Sequence, residues 1–304
     1  MSEKRRSKPE LRGAMTAIVT PFTAAGRVDS AALSRLVTWQ VERGIHGVVP
    51  CGTTGEAATL SDDEKHEVIK VTVEAVRGRV PVIAGCGTND TRTTLAGARR
   101  AAEAGADALL VVTPYYNKPN RSGMIAHYEA VAGETDLPTV VYNVPGRTGQ
   151  NLGAEMILRL AEIPGVIGVK EASADLEQIA AIIERRGSDF AVLSGDDPLT
   201  LPSIAIGAEG VISVVANEAP GEMAELVRAA LDGEVERARS LHYRLLPLMR
   251  ANFVETNPVP VKTAMHLLGF CELELRSPLG PPAEGTIEAL REALGRAEIV
   301  GAAP

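Results

Sequence analysis

Nowhere in its 304 residues does this sequence carry an apolar run of membrane-spanning length, so no transmembrane helix is expected. The charged opening MSEKRRSKPE is not followed by a signal-type segment, because AMTAIVTP is too short and ends at a proline. Cysteine is scarce. Cys51, Cys86 and Cys271 are odd in number and far apart, which argues against a disulfide framework and for a reducing compartment. Net positive charge is lacking as well: 31 Lys and Arg against 39 Asp and Glu leave −8. Such a chain repels nucleic acid and anionic membrane, so neither is expected as a partner. The short basic runs, EKRRSK and the pair Arg185–Arg186, read as a tail and a solvated helix end. The histidines His46, His66, His127, His242 and His266 show no ligand spacing with cysteines or carboxylates, so no metal is expected. Low-complexity sequence is confined to the Ala/Pro-rich last few residues. Together these absences describe a soluble cytoplasmic protein.

What is present is a recurrence. Short runs rich in Val and Ile lie at 15–19, 45–49, 80–84, 108–112, 139–142, 166–169, 190–193 and 210–214. Their spacing of roughly 20–35 residues suits one strand, one helix and two loops. They do not alternate with polar residues, as expected of parallel strands buried on both faces. The segments between them open as helices. Ser61 to Glu64 reads as a capping box, and Asp175 with Gln178 reads similarly. Eight such units predict an α/β fold, a (β/α)8 TIM barrel. A doubly wound sheet is the competitor, but VTPFTAAGRVD after the first run is no Gly-rich phosphate turn. Beyond about residue 216 the strand signal stops, and APGEMAELVRAAL, EVERARSLHYRLLPLMRA and NPVPVKTAMHLLG read as helices. The expected organisation is a catalytic barrel over 1–233 and a C-terminal helical region over 234–304, with Gly233 at the joint.

Reactive residues of such barrels lie at the C-terminal ends of the strands. Lys170 ends the apolar run VIGVK, where a long cation is costly to bury. The ordinary reading of a lysine is a snorkelling surface group. At the mouth of a barrel, however, the ammonium loses water, which favours the neutral amine. A neutral amine attacks a ketone and forms an imine, an electron sink for a carbanion on the next carbon. Tyr142 closes the preceding strand and is expected to face the same cavity; its ordinary role is core, its functional one a proton shuttle. Glu171 reads as a salt-bridge partner without chemistry. The turn GTTGE at 52–56 is either an ordinary loop or, with its amides and the Thr53 and Thr54 hydroxyls leading toward a helix, a carboxylate cradle. Arg147 in PGRTG suits a two-pronged grip on a second carboxylate. Cys51 reads as a small buried strand-end residue rather than a nucleophile.

The segments CGTTGEAATL, TPYYNKP, YNVPGRTG, GVIGVKEAS, LSGDD and GVISV, with FVETNPVPVK and LRSPLGPP further on, resemble in order and spacing the dihydrodipicolinate synthase/N-acetylneuraminate lyase family. The resemblance runs from about Gly13 to near the C-terminus, and the arginine of YNVPGRTG matches its dihydrodipicolinate synthase branch. It implies that Lys170 forms the imine with pyruvate and that Tyr142 is the general acid/base, linked through Thr53 to Tyr116 from a neighbouring subunit. Thr54 and its turn would hold the pyruvate carboxylate, Arg147 that of aspartate semialdehyde, and Gly195 and the Ile212 backbone would line the cavity. The implied reaction belongs to lysine and diaminopimelate biosynthesis and needs no cofactor. The implied assembly is a homotetramer of tight dimers. In relatives inhibited by lysine, the effector pocket uses two histidines and a glutamate. This chain keeps Asn89 and Tyr115 there but has Asp62, Lys65 and Thr93 at those three positions, so weak or absent inhibition is expected. Two other readings stay open: a related aldolase acting on a sugar acid, and a pyruvate-binding relative without catalysis.

Overall fold

The structure, a computed structural model, describes residues 9–299. The run EKRRSK and the last few residues lie outside the described residues. Eight strands run in order: β1 (Gly13–Ala17), β2 (Gly47–Val49), β3 (Ile83–Gly85), β4 (Ala108–Val112), β5 (Thr139–Asn143), β6 (Val166–Glu171), β7 (Ala191–Ser194) and β8 (Gly210–Ser213). Between them lie α1 (Ser30–Glu42), α2 (Asp62–Val76), α3 (Thr91–Glu103), α4 (Arg121–Ala132), the one-turn α5 (Pro145–Thr148), α6 (Ala154–Ala161), α7 (Leu176–Arg185) and α8 (Thr200–Ala205). Four helices follow the last strand: α9 (Pro220–Leu231), α10 (Val235–Ala251), α11 (Val259–Leu267) and α12 (Glu284–Arg296). The last of these goes beyond the helices read from the sequence.

All strand pairs are parallel, in the order β2-β1-β8-β7-β6-β5-β4-β3. The seam between β2 and β3 closes through a Val48–Val82 bridge and a bond from the Gly85 amide to the Pro50 carbonyl at 2.9 Å. The sheet is therefore a barrel, as the eight-fold recurrence predicts. The close approach at this seam requires glycine, since a Cβ on Gly85 would stand 2.1 Å from the Cys51 carbonyl oxygen.

Side-chain alternation divides the apolar residues into two layers. Met15, Val49, Ile83, Leu110, Val140, Leu193 and Ile212 fill the barrel. Val48, Val111, Val141, Val169 and Val192 face outward and pack under the helices, against Leu33, Leu36, Val68, Ile157 and Ile182. Both faces being buried is why the strand runs lack polar alternation.

The local differences have local causes. The third strand begins at Ile83 rather than 80, because Pro81 has no amide for the ladder; its carbonyl accepts from Val48 N at 3.0 Å. The Ser61/Glu64 capping box is present in full. At α7 only half of it forms. Asp175 accepts from the Gln178 amide, but the Gln178 side chain turns inward to Glu171 instead of back to the cap. Arg186 is not a solvated helix end: its guanidinium pairs with Glu209 at 2.6 Å and donates to the carbonyls of Phe190 and Gly207.

Candidate active site

Tyr142 and Lys170 are register partners on β5 and β6. Residues in register on adjacent strands share a face, and here that face is the barrel interior. Lys170 is 6% exposed, and its Nζ lies 4.3 Å from the centre of the Tyr142 ring. Among the described residues no carboxylate pairs with it. The ring face is thus the nearest favourable surface for the cation.

Above this pair opens a cavity of about 360 Å³, lined by Thr53, Thr54, Tyr142, Arg147, Lys170 and Gly195 among others. A second cavity of about 420 Å³ adjoins it, sharing Thr53, Tyr142, Arg147 and Asn257 and reaching Tyr115. Six of the eight residues singled out from the sequence therefore converge. Gly195 clears the space beside the lysine, since a Cβ there would stand 3.0 Å from Lys170 Cε and 2.7 Å from Ala172 Cβ. The Ile212 side chain lies in the barrel interior below, and Val214, two residues on, borders the cavity. Tyr116 does not line this cavity and is 90% exposed, with φ of 72°.

Residues 10–297 match the dihydrodipicolinate synthetase family along their whole length. The chain belongs to that family. It is 51% identical, over 96% of its own length and all of the relative's, to a 4-hydroxy-tetrahydrodipicolinate synthase of Nitratidesulfovibrio vulgaris. A second synthase of that name, from Thermomicrobium roseum, is 52% identical over 93% of this chain and 94% of its own. Among solved structures, the chloride-inhibited dihydrodipicolinate synthase of Acinetobacter baumannii complexed with pyruvate superposes with a TM-score of 0.94, at 43% identity, covering 96% of this chain and all of that one.

Within this dihydrodipicolinate synthetase fold, several expectations change. Glu171 pairs with no cation among the described residues. Its buried carboxylate accepts from Asn143 Nδ2 at 2.9 Å, Ser173 N at 2.7 Å and Gln178 Nε2 at 3.1 Å. Burial raises its pKa, and these donors oppose the rise. A fixed carboxylate here locks the end of β6, the strand that carries Lys170. The GTTGE turn does not run straight into a helix, because α2 begins only at Asp62, its first turn already capped by Ser61. The turn is closed by its own backbone bonds, Gly55 N to Gly52 O at 3.1 Å and Glu56 N to Thr53 O at 3.1 Å. Burial pushes the Cys51 thiol up to about 12, which keeps it from serving as a thiolate.

The sequence reading missed Asn257. Its side-chain amide donates to Thr54 Oγ1 at 3.0 Å, and its carbonyl accepts from Arg147 Nη2 at 3.1 Å. It therefore joins the turn after β2 to the helix after β5. The run NPVPVK was the available signal, since polar Asn257 and Lys262 interrupt an otherwise apolar helix start. Also missed was Asp197, fully buried, which accepts from the amides of Val214 and Val215 at 3.0 and 2.9 Å. Burial raises its carboxyl pKa, while bonds to Ser213 and these amides, and the charge of Lys170, pull the other way.

Proposed function

We propose that the protein is a 4-hydroxy-tetrahydrodipicolinate synthase, a lyase that condenses pyruvate with L-aspartate 4-semialdehyde in lysine and diaminopimelate biosynthesis. The observation that carries this reading is the Lys170–Tyr142 pair, shut in the barrel mouth under Thr53, Thr54 and Arg147. The neutral Lys170 amine attacks the keto carbon of pyruvate, and the oxygen leaves as water once protonated. Tyr142 shuttles those protons, relayed through Thr53. Loss of a methyl proton gives the enamine, with the lysine nitrogen as the electron sink. Its carbon attacks the aldehyde carbon of the second substrate, whose oxygen takes up a proton. The substrate's own amine then displaces Lys170 and closes the ring.

Thr54 and its turn take the pyruvate carboxylate, and Gly195 and the Ile212 backbone bound the pocket. Arg147, tethered to Asn257, takes the carboxylate of the semialdehyde. That arginine favours an amino-acid aldehyde over a sugar acid, whose polyol has less use for it. Tyr116, so exposed on its own protomer, completes the relay of a neighbouring subunit within a homotetramer of tight dimers. The reaction takes place in the cytoplasm. No described helix is long and apolar enough to cross a membrane. In the domain arrangement we favour, 1–233 form the catalytic barrel and 234–304 the helical region, with Gly233 (φ 77°) between α9 and α10.

Incubation with pyruvate and borohydride tests the reading. A stable adduct on the peptide carrying Lys170, followed by turnover with aspartate semialdehyde but not with sugar acids, is the expected result. Adduct on another lysine, or none in active enzyme, refutes it.

A further inference from the structure

Glu56 and Lys262 form an ion pair at 2.5 Å with side chains 1% and 0% exposed. They come from distant parts of the chain: Glu56 ends the GTTGE turn and Lys262 lies in α11. Glu56 has φ of 55°, in the left-handed region that non-glycine residues seldom occupy. Its backbone closes the turn, with Glu56 N donating to Thr53 O at 3.1 Å and Thr59 N donating to Glu56 O at 3.0 Å. The second carboxylate oxygen accepts from Arg276 N at 3.1 Å. The Lys262 ammonium sits 3.9 Å over the Phe22 ring. Burial lowers the Lys262 pKa, and the Glu56 charge partly restores it.

None of the steps above uses this pair. Stability alone explains it poorly, because well-packed apolar residues often replace a buried ion pair with no loss. What an ion pair adds is direction. The segment that carries it also carries Asn257, bonded to Thr54 Oγ1. The segment from Asn257 to α11 thus grips the turn at two points, Thr54 and Glu56, on either side of Gly55.

We propose that Glu56 and Lys262 are positioning residues that hold the Thr53–Thr54 turn in the geometry that receives the carboxylate of a 2-oxo acid beside Lys170. This rests on the reading of that turn as the pyruvate carboxylate site. It makes the C-terminal helices part of the substrate site.

The test compares the double variant Glu56→Gln/Lys262→Met with Thr54→Val in the full chain. The readouts are the pyruvate dependence of turnover, the pyruvate dependence of borohydride trapping on Lys170, and thermal melting. Removing both charges leaves no unpaired buried ion, so melting should stay within about 5 °C of the parent. The pyruvate KM should rise about tenfold while kcat falls less than about threefold, the pattern of lost binding common to ground and transition states. An unchanged pyruvate KM makes the pair a spectator, and a larger drop in melting temperature makes it a stability element; either overturns the proposal. Thr54→Val tells the two levels apart. If it leaves pyruvate KM unchanged, the turn is not the carboxylate site and the underlying reading fails. If it raises KM while the double variant does not, only the positioning role fails.

Discussion

Lys170 and Tyr142 face each other in register across β5 and β6, ammonium over ring at 4.3 Å. Among the described residues no carboxylate pairs with that ammonium, and the phenol is the proton-carrying group in register with it. Tyr142→Phe keeps the ring and so the packing, but removes the proton. Turnover should fall by about 10²–10⁴ with melting unchanged. Steady-state assay and a thermal melt check this, and normal turnover would remove Tyr142 from the relay.

Arg147→Ala should harm the second substrate more than the first. The guanidinium stands on the one-turn α5 and is tethered to the Asn257 carbonyl at 3.1 Å. Loss of charged hydrogen bonds to a carboxylate should raise the aldehyde KM roughly 10–100-fold. Two-substrate kinetics read this directly. A larger rise in pyruvate KM would mean that the two carboxylate sites are exchanged.

The ion pair between Arg276 and Glu64 predicts an acid limb of stability. The Arg276 hydrogen bond is the main force holding the Glu64 carboxyl at about 2, against 4.5 unperturbed. A carboxyl whose pKa is lowered by folding stabilises above its unfolded value. That contribution is present above pH 4.5 and is lost as pH falls toward about 2. Glu64→Gln should therefore be less stable than the parent at pH 6, and the gap should shrink as pH falls below 4.5. Urea midpoints across that range measure it; a gap independent of pH would show that the pair contributes no charge-dependent stability.

L-Lysine should inhibit weakly or not at all. Thr93 donates its hydroxyl to Asp90 at 2.7 Å and offers no negative partner to an incoming ammonium. Lys65 stands 3.6 Å from Asp62, and both border a small hollow shared with Arg100. The like charges of Lys65 and Arg100 oppose a cationic effector, and Asp62 offsets part of this. Titration at saturating and sub-saturating pyruvate tests this. Strong inhibition well below millimolar lysine would show that other residues rebuild the site.

The barrel was legible in the sequence because parallel strands buried on both faces must read as unbroken Val/Ile runs, and their recurrence counts the units. Lys170 was legible too, since nothing in a strand's own economy explains a lysine at its buried end. The half-formed cap at α7 was not: whether Gln178 turns to its own cap or to Glu171 depends on a carboxylate that lies on another element. Arg186 looked solvated for the same reason, its partner Glu209 being 23 residues away. The pairings of Asn257, Glu56 and Lys262 were decided by tertiary structure. Their partners lie about two hundred residues apart in sequence, and only closure of the barrel and docking of α11 against its mouth bring them within hydrogen-bond reach. The sequence by itself determined which polar side chains stand at the strand ends that open on the cavity. The tertiary structure decided how the turn that faces Lys170 is held, because a buried charge has no stable place until another element supplies its partner.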